Sequence, residues 1–243
     1  MNFNNILIVI SFVWLLVSFM NRNAIPGDIN FKPQIADEPI QTKTARQAFH
    51  VAYEDVDYLV EPQFEYELYG MIVSYRHHDG NSRMHMRSND HLNMLDVCVV
   101  WGDNAVGEHL SKIEFWNGIF TCNVKTNDRD AWTAFDMDKL SNNHLISDDD
   151  FIRQQVSGVN IGDQIRVQGW LASYSNDGGG KRGTSTTRTD TGDGACETIY
   201  VDKFEIVEPA VSNWKRSMYG SLFLLIVSLF SYFRNPYRPF AND

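Results

Sequence analysis

Two stretches of the chain are almost free of polar side chains, and they stand at opposite ends. Residues 6–20 read ILIVISFVWLLVSFM, with Ser11 and Ser18 as the polar positions. Counting from Phe3 gives about 18 residues, or roughly 27 Å of helix at 1.5 Å per residue. That is the short end of a membrane span. Asn21, Arg22 and Asn23 follow, and then Pro26-Gly27, which cannot continue a helix. A cleaved signal peptide is the rival reading. The leading MNFNN carries no Lys or Arg, and no small-x-small site follows Met20, so a retained anchor over 3–20 is the expectation. Residues 218–233 read MYGSLFLLIVSLFSYF, with Lys215-Arg216 before them and Arg234 after. Trp214, Tyr219, Tyr232 and Tyr237 stand where an interfacial aromatic belt belongs. A second membrane helix over 214–233, with a short tail at 234–243, is predicted.

Between the ends the period changes from helical to alternating. Residues 21–61 have three prolines and little periodicity and read as a stalk or linker, with a short strand at 49–53. The compact domain is expected over 62–208. Its strands are 66–75 (YELYGMIVSY), 95–101 (LDVCVVW), one or two short ones in 113–124 around the turn dipeptide Asn117-Gly118, then 164–174 and 197–207. LDVCVVW is apolar enough for a strand covered on both faces. Ser147 or Asp148 is the expected N-cap of a helix that places Asp149 and Asp150 in its first turn and ends near Val156, before Gly158. In 164–174, Ile165, Val167 and Leu171 alternate inward, while Arg166, Gln168, Trp170 and Tyr174 point the other way. The inward parity of the last strand breaks between Val201 and Phe204, which predicts a bulge at Asp202-Lys203.

The order strand, strand, strand pair, helix, strand, strand resembles the OB-fold, a five-stranded Greek-key barrel. GDQIRVQGWLASY, CETIYVDKFEIV and the capped helix before them carry the resemblance, which covers roughly 66–207. The expected class is therefore mainly β with one or two short helices, an OB-like barrel flanked by two transmembrane helices. A different open barrel or a small sandwich is the alternative. The whole chain is also similar to membrane-anchored bacterial proteins with a single exported domain, a resemblance that implies no activity.

The formal net charge is −10. The first twenty residues hold no acid and the C-terminal segment holds only Asp243, so the excess of acid lies on the middle domain. Such a surface repels nucleic acid and anionic lipid, which argues against a nucleic-acid partner. Near the spans the domain side carries Arg22, Lys32, Lys215 and Arg216, against Arg234 and Arg238 on the other side. That count favours a cytoplasmic domain, but long domains translocate largely regardless of charge. The cysteines lean the other way. The preferred placement is the bacterial inner membrane, with the domain outside the cytoplasm.

Chemical signatures are sparse. Asp190-Thr191-Gly192 is the tripeptide of aspartic proteases, but polar Thr187-Arg188-Thr189 precedes it where those enzymes have an apolar strand, and it has no second copy. Asp190 and Asp193 lack the spacing of a calcium loop. His77, His78, His85 and His91 gather in one loop without tight ligand spacing; His109 and His144 are isolated. No catalytic residue, metal site or cofactor is assigned. Cys98 lies inside an apolar strand and reads as a buried thiol; Cys122 and Cys196 sit beside turns and are the expected disulfide. The bridge would stabilise by roughly 4 kcal/mol in the chain-entropy model. The loop GGGKRGTSTTRTDTGDG sets Lys181, Arg182 and Arg188 among glycines and hydroxyls, a composition suited to anions. With Arg166, Trp170 and Tyr174 they form the candidate binding face. The leading reading is a membrane-anchored binding or assembly module with a protein partner or anionic ligand. A hydrolase using loop carboxylates or an unseen metal, and a structural subunit of a membrane complex, are the alternatives.

Overall fold

The computed structural model describes residues 3–26, 29–78, 88–118, 120–187, 189–190, 195–210 and 212–234. It forms two compact units, one from 1–26 with 211–243 and one from 27–210.

The first unit is a helix pair, α1 (Phe3–Met20) and α5 (Asn213–Arg234). Both helices are long and apolar enough to cross a membrane, by length and composition. They run antiparallel. Asn4 Nδ2 donates to the Ser228 carbonyl at 3.1 Å, Trp14 Nε1 donates to Ser217 Oγ at 2.5 Å, and the Trp14 and Trp214 rings lie 6.3 Å apart. The buried positions are Ser11 and Ser18 on α1 and Ser221 and Ser228 on α5, seven residues apart on each helix and so two turns apart on one face. Small side chains let helix backbones approach closely. The large apolar side chains point away: Phe12, Phe223 and Phe230 are all exposed.

The second unit is a mixed sheet with helices. Its strands are β1 (Ile40–Lys43), β2 (Phe49–Tyr53), β3 (Val56–His77), β4 (Asn93–Val100), β5 (Glu114–Asn117), β6 (Cys122–Lys125), β7 (Leu140–Ile146), β8 (Gln164–Asn176), β9 (Lys181–Arg182) and β10 (Glu197–Glu208). The helices are α2 (Gly102–Val106), α3 (Arg129–Ala134) and α4 (Asp150–Ser157). The main sheet runs β1-β3-β4-β7-β10-β8-β9, with β2 also on β3 and β3 also paired to β8. β7 and β10 are parallel, and the other ladders are antiparallel. β5 and β6 form a separate hairpin.

Strand β3 is 22 residues long and serves four neighbours, β2, β1 and β4 in turn and β8 beside them. Residues 58–71 pair with β8 and residues 71–77 with β4. Its register against β8 shifts between Pro62 and Phe64, where proline has no N–H to give the ladder. The main core takes Leu95, Val97 and Val99 from β4, Ile165, Val167 and Leu171 from β8, and Ile199, Val201 and Phe204 from β10, closed by Ile152 and Val156 of α4. The inward parity read from the sequence of β8 is the observed one. The β10 ladder shifts between Val201 and Lys203, where the bulge is predicted. Asp149, rather than Ser147 or Asp148, caps α4, accepting from the Phe151 and Ile152 amides.

The stretch 21–61 is not a stalk throughout. β1, β2 and the first residues of β3 belong to the sheet, and Phe49, Val51 and Tyr53 pack on a second core of Val56, Tyr58, Val60, Leu92, Ile146, Ala172 and Tyr174. Its prolines hid strands that are only four and five residues long, too short for alternation to register. The expected disulfide is also corrected. Cys98 and Cys122 are bonded and Cys196 is free. Cys98 points away from the main core, towards the β5–β6 hairpin, so a residue read as a buried thiol ties that hairpin to β4.

Candidate functional site

Alternation along β4 sends Leu95, Val97 and Val99 into the core and leaves Asp96 and Cys98 on the other side. Across the ladder, Asp96 stands opposite His144 and Cys98 opposite Asn142. This polar side is not open to solvent: Asp96 is 1% exposed and His144 2%. One carboxylate oxygen of Asp96 meets His144 Nδ1, and the other lies 2.7 Å from His78 Nε2. Asn93 Nδ2 adds a hydrogen bond to Asp96 Oδ1 at 3.0 Å. Burial alone would push the Asp96 carboxyl up. Hydrogen bonds from His144 and His78, and the charge those rings carry when protonated, override it and hold the carboxyl well below the usual range.

The cover over this face is the hairpin, fixed at several points. Cys98 is bonded to Cys122. Ser74 Oγ donates to Asn117 Oδ1, and Asn117 Nδ2 reaches the Asp96 carbonyl at 3.4 Å. Asn142 Nδ2 donates to the Phe120 carbonyl at 3.0 Å. Phe120 adopts a positive φ of 57°, a backbone conformation uncommon outside glycine. Its ring lies edge-on to His144 and carries the Arg182 guanidinium at 4.0 Å. Asp96 is therefore an anion held by two imidazoles under a tethered hairpin. It can orient both rings and fix the cover. Among the described residues, no group of three or more His, Cys, Asp or Glu side chains is arranged to hold a metal ion.

The residues singled out from sequence separate into two places. Arg166 Nε pairs with Glu67 Oε1 at 2.7 Å. Trp170 packs beside Tyr200, and the Arg46 guanidinium stacks over its ring at 4.0 Å. Arg46 also lies 4.3 Å from the Phe49 ring. Beside Trp170 runs a shallow groove whose walls include Thr42, Glu65, Glu67, Gln168 and Asp202. Glu65 and Asp202 are exposed. Tyr174 does face away from the main core, but it is buried in the second one, where its hydroxyl donates to Asp90 Oδ2 at 2.7 Å. Lys181 and Arg182 form β9 against Ser175 and Tyr174. The buried Nη1 of Arg182 has no hydrogen-bond partner among the described residues. Arg188, with His85, Thr191, Gly192 and Asp193, lies outside the described residues. The asparagine at the end of β8 ties the two notable loops together, Asn176 Nδ2 donating to the Ser88 and Asn89 carbonyls at 2.8 and 2.9 Å.

Asp96 and His144 were missed in the sequence. The available signal was a carboxylate inside an otherwise apolar strand, since a buried charge must be paired. Which histidines would pair it is a long-range fact that spacing does not carry. No family model, no curated protein and no solved structure matches this chain.

Proposed function

We propose that this chain is a membrane-anchored binding module whose groove beside Trp170 takes a basic segment of a protein partner. Two inner-membrane helices would hold the module, an OB-like barrel outside the cytoplasm. The barrel reading draws support from β3, which pairs with both β4 and β8, the two ends of the run β4-β7-β10-β8. It also draws support from the parallel β7–β10 ladder and from α4 between β7 and β8. The extracytoplasmic placement rests on the Cys98–Cys122 bridge, since disulfides persist in oxidising compartments.

OB-folds bind oligonucleotides and oligosaccharides on the face of their second and third strands. Here those strands would be β4 and β7, and the outward side of each is buried beneath the chain's own hairpin. The groove by Trp170 is open instead. The observation that carries its assignment is Arg46, a guanidinium from the chain itself that already stacks on Trp170, with the carboxylates of Glu65 and Asp202 in the same groove. Aromatic faces attract cations, and the acidic domain steers a basic partner towards it.

The test uses the full chain in detergent and a fluorescent oligo-arginine peptide. Binding that weakens at least tenfold in the Glu65→Lys/Asp202→Lys variant, and again in Trp170→Ala, is expected. Replacing Lys181, Arg182 and Arg188 together by Ala should leave it unchanged or tighter. The second reading, an anion at the basic loop, is favoured by the unpartnered Nη1 of Arg182. It takes over if the wild type binds inorganic phosphate or oligo-glutamate and the triple replacement abolishes that binding.

A further inference from the structure

All three cysteines of the chain lie in or beside the hairpin. Cys98 and Cys122 are bonded, with their Cα atoms 5.7 Å apart. Cys196, just before β10, donates from Sγ to the Phe120 carbonyl at 3.2 Å, and Phe120 lies two residues before Cys122. On its other side Cys196 Sγ accepts from Asn142 Nδ2 at 3.3 Å, and Asn142 is the cross-strand partner of Cys98. Opposite residues on antiparallel strands have Cα atoms roughly 4.5–5.5 Å apart. The free thiol is therefore hydrogen-bonded both to the segment that carries one half of the disulfide and to the residue beside the other half.

We propose that Cys196 is a resolving thiol for this bond, and that the hairpin exchanges its anchor between Cys98 and Cys196. In the step, the Cys196 thiolate attacks Cys122 Sγ, the Cys98–Cys122 bond breaks, and Cys98 leaves as a thiolate. The proton lost by Cys196 ends on Cys98. One disulfide and one thiol stand on each side, so no external oxidant or reductant enters. The exchange moves the tether of the hairpin from β4, across β7, to the start of β10. The cover over Asp96 and His144 would then be held from its opposite side.

The surroundings make the exchange slow at rest. Burial pushes the Cys196 thiol up, the Asn142 hydrogen bond draws it part of the way back, Glu197 and Asp96 push it up again, and Arg182 lowers it. Thiolate is the attacking species, so the rate should climb by about tenfold per pH unit while the thiol remains mostly protonated.

Two measurements on the full chain in native membranes test the proposal. In wild type, prolonged alkylation with iodoacetamide at several pH values and non-reducing peptide mapping should recover label on Cys98 as well as Cys196. Label confined to Cys196 at every pH and time would overturn it. In Cys98→Ser, oxidised with glutathione disulfide, the mapped bridge should be Cys122–Cys196. Free or glutathionylated Cys122 and Cys196 in that variant, with Cys98–Cys122 intact in Cys196→Ser, would also overturn it.

Discussion

The helix pair and the sheet unit both bury polar side chains, and they satisfy them differently. In the helices, Ser11 Oγ donates to the Leu7 carbonyl, Ser221 Oγ to Met218 and Ser228 Oγ to Leu224, all within one turn of the same helix. These hydroxyls depend on no other element and serve to keep the contact face narrow. In the sheet unit, Asp96 depends on His78 beyond the end of β3 and on His144 of β7. The hydrogen bonds of the first kind are local and survive separation of the helices. The second exists only once three distant stretches of chain are assembled. The exposed sides are inverted as well: the helices present phenylalanines outward, whereas the sheet unit buries most of its aliphatic residues and presents acids.

The largest expected effect breaks the distant kind of burial. Asp96→Ala leaves two imidazoles packed without their anion, and removing one partner of a buried pair costs roughly 3–5 kcal/mol. At about 2–4 °C per kcal/mol for a unit of this size, thermal unfolding of the full chain should show a drop near ten degrees or more. Ser228→Ala, which removes a hydroxyl bonded within its own helix, should shift melting little. Equal shifts for the two variants would erase the distinction.

Next in size is a pair of phenylalanines with almost the same exposure. Phe223 of α5 is 66% exposed and Phe151 of α4 67%. If the helix pair faces lipid, Phe223→Arg puts a charge at mid-span, at a cost of about 2.5–3.5 kcal/mol on the insertion scale. Phe151→Arg faces water and should stay within about 0.5 kcal/mol of wild type. Alkaline extraction of membranes should release a larger share of the Phe223→Arg protein and leave Phe151→Arg in the pellet.

Smaller effects come from pH. The Asp96 carboxyl is lowered in the fold, so its contribution is complete above the unfolded value of about 3.9 and is lost as pH falls below it. Tyr58, Tyr174 and Tyr200 are all raised, burial being the first cause in each. Their contribution is complete below the unfolded value of about 10 and is lost as pH rises past it. Tyr200 also donates to Asp148 Oδ1 at 2.5 Å. Melting temperature against pH should fall at both edges, and Tyr200→Phe should flatten the alkaline edge. An unchanged alkaline slope would remove Tyr200 from it.

Much of the architecture was legible because it rests on local pattern. The two apolar segments, the alternation of Ile165, Val167 and Leu171, and the parity break before Phe204 each involve neighbours within a few residues. The pairing partners were not legible. Cys98 looked like a core residue because every position around it in β4 is buried, although its own side is covered by a hairpin that comes later in the chain. Tyr174 was assigned the correct side of β8, but the sequence does not show that β2 and the start of β3 close over that side. Trp170 and the basic β9 lie on one strand and its neighbour, yet Trp170 is packed by Arg46 and Arg182 by Phe120. Long-range cover, rather than secondary structure, is what the pattern of residues left out.

The central claim is that two helices hold one folded β module on a single side of a membrane, and the position of the termini tests it most directly. Compartment-sensitive reporters fused separately to the two ends of the full chain should give the same signal. A protease added to the opposite side should cut within 27–210 only after that unit is unfolded. Opposite signals from the two termini would contradict the account.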